Sequence, residues 1–148
     1  MIYIVTGTPG TGKTTFAKKF AKENNFKYID GNVIIDENKL SEGLDKETNS
    51  LIIDEYEFSK ACEGIIAEAI DKKSDIIIDS HLSHYISPDL VDKCFVTECD
   101  LGILKKRLEE RDYSSKKISD NLEAEAFKVC RGESLENGHN VEVIMTSD

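Results

Sequence analysis

The stretch IYIVTGTPGTGKTTFAKKFA, residues 2–21, decides the fold. Its first four residues are an apolar run, typical of a central strand that is buried on both faces of a parallel sheet. The residues GTPGTGKT at 7–14 match the phosphate-loop pattern GxxxxGK[ST] at every required position. After them, apolar side chains within 16–21 recur at helical spacing. A strand, a glycine-rich loop and an amphipathic helix in this order predict binding of nucleotide phosphates.

The chemistry of phosphate binding explains the residue types in this loop. Glycines leave backbone N–H groups free to turn toward phosphate oxygens, and the start of the following helix directs its positive dipole end at the same point. Lys13 would reach the β- and γ-phosphates, and the Thr14 hydroxyl would be a ligand of Mg²⁺. ATP and Mg²⁺ are therefore the expected cofactors. The alternative is a glycine-rich turn that matches by coincidence, and the flanking strand and helix argue against it.

Strand and helix patterns alternate along the rest of the chain. Strands are predicted at 26–30, 75–79, 94–97 and 141–146, and helices at 54–73, around 101–108 and at 121–135. Mixed patterning at 31–53 predicts helix and loop. This alternation indicates an α/β fold, a three-layer P-loop NTPase with a central parallel sheet, in a single domain over 1–148.

The composition excludes several classes of protein. With 148 residues, the chain is long enough for one domain with its own core. Lys and Arg number 19 against 29 Asp and Glu, and the net charge of −10 argues against direct, sequence-specific binding of nucleic acid. The apolar runs are far shorter than the roughly 20 residues that span a bilayer. We expect no membrane partner and no signal peptide, since the chain begins directly as a strand.

The four cysteines form neither a CxxC pair nor a spacing typical of metal ligands; they are Cys62, Cys94, Cys99 and Cys130. Reduced thiols that pack in the interior are the simpler interpretation. A cytoplasmic location is therefore expected.

Two carboxylates compete for the magnesium ion. Asp54 precedes a helical pattern and has Glu57 three residues on, which favours a helix N-cap. Asp79 ends a strand-like run, at the edge of a parallel sheet where ligands collect, so Thr14 and Asp79 are the predicted metal ligands. His81 lies on the same side of an extended segment as Asp79. It could contact phosphate, water or a substrate base, or simply be solvated.

Two arginines share one face of a predicted helix. Arg107 and Arg111 are four residues apart, and the nearby Leu104 and Leu108 turn that face toward the body of the protein. Phosphoryl transfer needs such cations, because negative charge spreads over the equatorial oxygens in the transition state. The alternative is a solvated face that pairs with neighbouring glutamates for little gain.

These features together resemble one family. The segments GTPGTGKTT at 7–15 and RLEERDYSSKKISDN at 107–121, with the pair Asp79-x-His81, are similar to the adenylate kinase isoenzyme 6 family. Its members are small archaeal and eukaryotic nucleoside-monophosphate kinase-like proteins associated with ribosome biogenesis. The resemblance covers nearly the whole chain. It implies a monophosphate-binding segment at about 30–53 and a short lid at about 110–120.

The resemblance also implies an activity and a set of site residues. The activity would be transfer of the ATP γ-phosphate to AMP or another nucleoside monophosphate, with weaker ATPase activity. The implied partner is a small-subunit ribosomal protein during maturation of 16S-type rRNA. The residues expected in catalysis are Lys13, Asp79, His81, Arg107 and Arg111, and those expected to bind ATP are Gly10, Thr11, Gly12, Lys13, Thr14, Thr15 and Arg111.

Other functions stay open at this point. Asp36 stands where some relatives have a phosphate-contacting arginine, which leaves the acceptor undecided. One alternative is an ATPase assembly factor with little kinase activity. Another is a small-metabolite kinase, such as a shikimate or gluconate kinase, because these share the phosphate loop. A GTPase is disfavoured, since the segment NKLS at 38–41 lacks the acid of a guanine-binding Asn-Lys-x-Asp motif.

The charge is unevenly distributed. Residues 13–23 and 105–117 each carry a net charge of +3, whereas 36–60 carry −5. Positive charge is thus concentrated where phosphates are expected. The acidic remainder is compatible with a basic ribosomal protein as partner, although a solvated acidic surface is the simpler interpretation.

Overall fold

Five parallel strands form the central sheet in the computed structural model, which describes residues 1–147. The strands are β1 (Ile2–Gly7), β2 (Lys27–Asp30), β5 (Ile76–Asp79), β6 (Lys93–Glu98) and β7 (Val141–Met145). Their order is β2-β5-β1-β6-β7, with β1 in the middle. The helices are α1 (Lys13–Asn24), α2 (Gly31–Glu37), α3 (Glu55–Asp71), α4 (Leu101–Glu110), α5 (Ser115–Ala126) and α6 (Val129–Glu136). The predicted α/β fold with a central parallel sheet is confirmed.

Helices cover both faces of the sheet, and alternate side chains of β1 pack against each of the two layers. Ile2 and Ile4 pack with α2 and α3, where Phe58 is fully buried. Val5 faces α1 on the other side. No helix within residues 1–147 is both long and apolar enough to cross a membrane.

The segment 31–53 differs from the prediction of helix and loop. After α2, an antiparallel hairpin forms from β3 (Ser41–Asp45) and β4 (Ser50–Ile53). All five residues of β3 are exposed, so no buried face imposes the alternation that reveals a strand in a sequence.

The single helix predicted at 121–135 is wrong, since two helices occupy this region. Lys128 adopts a left-handed conformation with φ of 53° and separates α5 from α6. Neither glycine nor proline marks this break. The reversal allows α6 to pack against the sheet while α5 packs on α4.

Candidate active site

The phosphate loop joins β1 to α1 at the carboxyl edge of the sheet. Gly12 has φ of 89°, a conformation that favours glycine, and α1 begins directly after it. The Lys13 ammonium bends back over the loop and donates to the carbonyl oxygens of Gly7 at 3.0 Å and Thr8 at 3.4 Å. Although the whole side chain is only half-buried, its charged end is withdrawn from water, which lowers the Lys13 pKa to about 8.

Buried hydrogen bonds hold the loop from behind. Thr11 donates its hydroxyl to the Thr8 carbonyl at 2.6 Å and contacts the Thr97 hydroxyl at 2.7 Å. Thr8 in turn donates to Glu125 at 3.0 Å, and the second oxygen of Glu125 accepts from the Cys99 N–H at 2.9 Å. Thr11, expected to bind ATP, is therefore turned into the loop and does not line the cleft. Its N–H is also bonded, to the Thr8 carbonyl.

Asp79 lies at the end of β5, beside the start of α1. Its Oδ2 accepts hydrogen bonds from the Thr14 hydroxyl and from the Tyr28 hydroxyl, both at 2.7 Å. Asp54, by contrast, caps α3 by accepting from the Glu57 N–H at 3.0 Å, as the capping pattern predicted.

The residues at this point fit Mg²⁺. The ion prefers oxygen ligands, and it is usually held by one or two carboxylates together with water and substrate phosphates. Thr14 and Asp79 supply one hydroxyl and one carboxylate oxygen in hydrogen-bond contact. Residues 1–147 contain no group of three or more acidic, histidine or cysteine side chains that could hold a metal by themselves. The phosphates of a bound nucleotide would therefore complete the ligand set.

His81 faces the same cleft as Asp79. Its side chain is exposed at the surface, yet the surrounding protein and the nearby ammonium of Lys13 disfavour the charged ring and lower its pKa from 6.5 to about 4. The imidazole is neutral at physiological pH and can both donate and accept a hydrogen bond.

A cleft of about 540 Å³ extends from the phosphate loop between two further walls. One wall comes from the end of α4 and from α5, and includes Arg111, Tyr113 and Lys117. The other comes from β2, α2 and the hairpin, and includes Asp30, Asn32 and Ile35 together with residues 49–51 and 53. The volume lies within the 300–1,000 Å³ typical of ligand sites.

Close packing fixes the start of α2 against the end of β5. A Cβ atom on Gly31 would lie 2.7 Å from the carbonyl oxygen of Asp79. Asp30 caps α2 by accepting from the Asn32 N–H at 2.8 Å. Glycine at position 31 therefore lets the α2 wall lie directly against Asp79 and Ser80 at the end of β5.

The two arginines have different surroundings, Arg107 within α4 and Arg111 at its C-cap. Arg111 lines the cleft, whereas Arg107 does not. The Arg107 guanidinium donates to the carbonyl oxygens of Gly10 at 3.2 Å and of Thr146 at 2.5 Å. Helical spacing placed both arginines on one face, but Arg107 joins the phosphate loop to the segment after β7.

The other predicted site residues meet at the cleft. They are Gly10, Gly12, Lys13, Thr14, Thr15, Asp79, His81 and Arg111.

Comparison with known proteins identifies the family of this chain. It matches the AAA domain family over residues 4–128. It is 39% identical over 130 residues to a Methanocaldococcus jannaschii protein named "Putative adenylate kinase". The aligned region covers 88% of this chain and 70% of that protein. It is 33% identical over 142 residues to the "Adenylate kinase isoenzyme 6 homolog" of Dictyostelium discoideum, covering 96% of this chain and 78% of that one. The chain belongs to the adenylate kinase isoenzyme 6 family.

Solved structures share its fold at low sequence identity. A sugar kinase from Janibacter sp. HTCC2649 has a TM-score of 0.66 at 15% identity, covering 97% of this chain and 84% of that one. A shikimate kinase from Bacteroides thetaiotaomicron has a TM-score of 0.56 at 15% identity, covering 95% and 85%. These similarities confirm the P-loop kinase fold. Together with the family membership, they support a nucleotide-binding phosphotransferase.

Three residues that support the site in this isoenzyme 6 family member are not indicated by the sequence. Tyr28 holds Asp79 from β2, Glu125 holds the phosphate loop from α5, and His84 is buried between Thr6 at 2.6 Å and Glu133 at 2.8 Å. All three act across long sequence separations. Only His84 has a local signal in the sequence, because it is a histidine among apolar residues that follow a buried strand.

Proposed function

We propose that this protein transfers the γ-phosphate of ATP to a nucleoside monophosphate, with AMP as the first candidate. The observation that carries the proposal is that one cleft is lined by Lys13, by Asp79 and by two further walls. Such a cleft can bind both the phosphates of a donor and an acceptor, so that the two meet at one point. In this proposal, residues 30–53 form the acceptor-binding segment and 110–120 the lid.

Catalysis in this arrangement rests on positioning and electrostatics. Lys13 and Arg111 would bind phosphate oxygens, and His81 would orient the reacting groups as a neutral donor or acceptor. Thr14 and Asp79 would hold Mg²⁺, which neutralises charge on the phosphates when bound. In this proposal, the transfer uses no dedicated general base.

A coupled assay for ADP, with ATP and AMP together and ATP alone, tests the proposal. We expect ADP formation to depend on AMP, and Lys13→Met to lower its rate at least about a hundredfold, since its charge is used in the transition state. Lys19 is exposed on the outside of α1, so Lys19→Met is the matched control and should keep the wild-type rate. A wild-type rate that is the same with and without AMP contradicts the proposal, and a panel of acceptors then becomes the next measurement.

A second function is favoured by one observation on the acceptor wall. Within residues 1–147, the cleft-lining side chains from β2, α2 and the hairpin include no lysine or arginine. Asp36 is exposed beside this wall, at a neighbouring cavity that Lys39 also lines. A weakly bound acceptor would leave water as the competing nucleophile, and the protein would then act as an ATPase.

In that second role, the protein would hydrolyse ATP in a cytoplasmic complex with a small-subunit ribosomal protein and support rRNA maturation. The acidic segment 36–60 is suited to a basic partner. Hydrolysis should increase when the ribosomal protein is added, and His81→Ala should reduce both hydrolysis and release. No capture of that protein in pull-downs, with and without nucleotide, would contradict this role.

A further inference from the structure

Both hydrogen bonds to the Asp79 side chain end at the same oxygen. The Thr14 hydroxyl and the Tyr28 hydroxyl each donate to Oδ2 at 2.7 Å. Within residues 1–147, no hydrogen bond reaches Oδ1, which is not among the enclosed polar atoms that lack a partner and is therefore open to solvent. The protein thus fixes one oxygen of this 5% exposed residue and leaves the other free for a ligand.

The Tyr28 hydroxyl comes from the sheet and not from the phosphate loop. Tyr28 pairs with Ile77, and two residues further along the same strands Asp30 pairs with Asp79. Alternate residues of a strand point to one face, so a side chain as long as that of tyrosine can reach along this face to the Asp79 carboxylate.

The Tyr28 ring is held by its packing. It lies against the apolar cluster between the sheet and α1, and the Lys18 ammonium is 5.5 Å from the centre of the ring. The side chain is half-buried. The core of the sheet therefore fixes the position of the hydroxyl, and this position does not depend on a bound nucleotide.

A fixed carboxylate matters for Mg²⁺ in particular. The ion demands nearly ideal octahedral geometry with short bonds to oxygen, so a carboxylate that rotates binds it less well. Groups that hydrogen-bond to a metal ligand orient it, and their loss typically costs about 10- to 100-fold in metal affinity or activity. Tyr28 has this relation to Asp79.

We propose that Tyr28 is a positioning residue for magnesium. Its hydroxyl holds Oδ2 of Asp79 and thereby presents Oδ1 as the oxygen that binds the ion. The inference rests on the proposed magnesium site at Thr14 and Asp79, and it does not depend on which acceptor receives the phosphate.

The test compares Tyr28→Phe, which removes one oxygen and keeps the ring, with Tyr3→Phe. Tyr3 packs in the same apolar cluster, and within residues 1–147 no hydrogen bond joins its hydroxyl to another group, so it is the matched control. Titration calorimetry measures the affinity for ATP with Mg²⁺ and, in EDTA, for ATP alone. ADP formation at increasing free Mg²⁺ is followed by chromatography, because coupling enzymes can also require Mg²⁺.

We expect Tyr28→Phe to weaken the binding of ATP with Mg²⁺ by about 10- to 100-fold and to leave the affinity for metal-free ATP unchanged. The concentration of free Mg²⁺ that gives half of the maximal rate should rise by a similar factor, and saturating Mg²⁺ should restore most of kcat. Tyr3→Phe should match wild type in every measurement.

A merely structural role of Tyr28 would lower both ATP affinities equally. Equal losses with and without Mg²⁺, or no difference between Tyr28→Phe and Tyr3→Phe, would overturn the inference. The same holds if the wild-type protein binds ATP equally tightly with and without Mg²⁺. The calorimetry needs no acceptor, so a wild-type protein that transfers phosphate to no monophosphate contradicts the proposed function alone.

Discussion

Replacing Glu125 by alanine should destabilise the protein by about 2–4 kcal/mol. The Glu125 side chain is 2% exposed, and its two oxygens accept from the Thr8 hydroxyl and the Cys99 N–H. Each buried donor that loses its acceptor costs about 1–3 kcal/mol. Part of this cost is offset because removing Glu125 also removes a buried carboxylate, whose one ion pair within residues 1–147 is to the half-exposed Lys128 at 3.8 Å.

Urea denaturation at pH 7 measures the change directly, and thermal unfolding should show a decrease in Tm of roughly 5–15 °C for a domain of this size. Two further variants separate the contributions. Thr8→Val removes one donor and should cost about 1 kcal/mol. Glu125→Gln keeps an oxygen acceptor and should cost less than the alanine variant.

The result also bears on the phosphate loop. Since Glu125 supports Thr8 at the back of the loop, Glu125→Ala should weaken ATP binding more than its loss of stability alone explains. If Glu125→Ala changes the free energy of unfolding by less than about 1 kcal/mol, the two hydrogen bonds do not stabilise the loop and the reasoning is refuted.

Three other predictions concern the core, the α2 wall and pH. Phe58→Ala should cost about 3–5 kcal/mol in the free energy of unfolding, because the ring is fully buried, and a urea midpoint near that of wild type would contradict this. Gly31→Ala would place a Cβ atom 2.7 Å from the carbonyl oxygen of Asp79. We expect it to lower the free energy of unfolding by about 1–3 kcal/mol and to lower kcat in the ADP assay. Unchanged kinetics would show that the α2 wall shifts without moving Asp79. Burial lowers the pKa of His84 below its ordinary 6.5, so the unfolded state binds more protons below pH 6.5 and the free energy of unfolding should fall from pH 7.5 to 5.5. Urea melts at both pH values check this. His84→Gln should reduce the dependence on pH, and part of it should remain because burial also lowers the pKa of His81 and of His139. A free energy of unfolding that rises on acidification would contradict this prediction.

Much of the site could be predicted because its signals are local. The change from a buried strand to a glycine-rich turn and then to a helical period lies within residues 2–21, and the structure follows it. The choice between Asp54 and Asp79 also rested on neighbours in the chain. The hydrogen bond from the Glu57 N–H to the Asp54 side chain lies within four consecutive residues, so the N-cap could be predicted from the sequence.

The features that the sequence did not show lie where local signals are absent. The hairpin at 41–53 has a fully exposed first strand, which gives no periodic pattern. The break at Lys128 has no glycine to mark it. Helical spacing placed Arg107 and Arg111 on one face, but it could not tell that carbonyl oxygens of Gly10 and Thr146 lie opposite the first of them.

The sequence by itself determined the phosphate loop, the parallel α/β class and the residues that end the central strands, since each depends on backbone preferences and burial periods within a few positions. The tertiary structure alone decided which side chains meet at that edge. Glu125 reaches Thr8 across 117 positions of the chain, and Tyr28 reaches Asp79 across 51. Such pairings depend on which strand ends become neighbours in the sheet and on where α5 turns, and no local pattern carries that information.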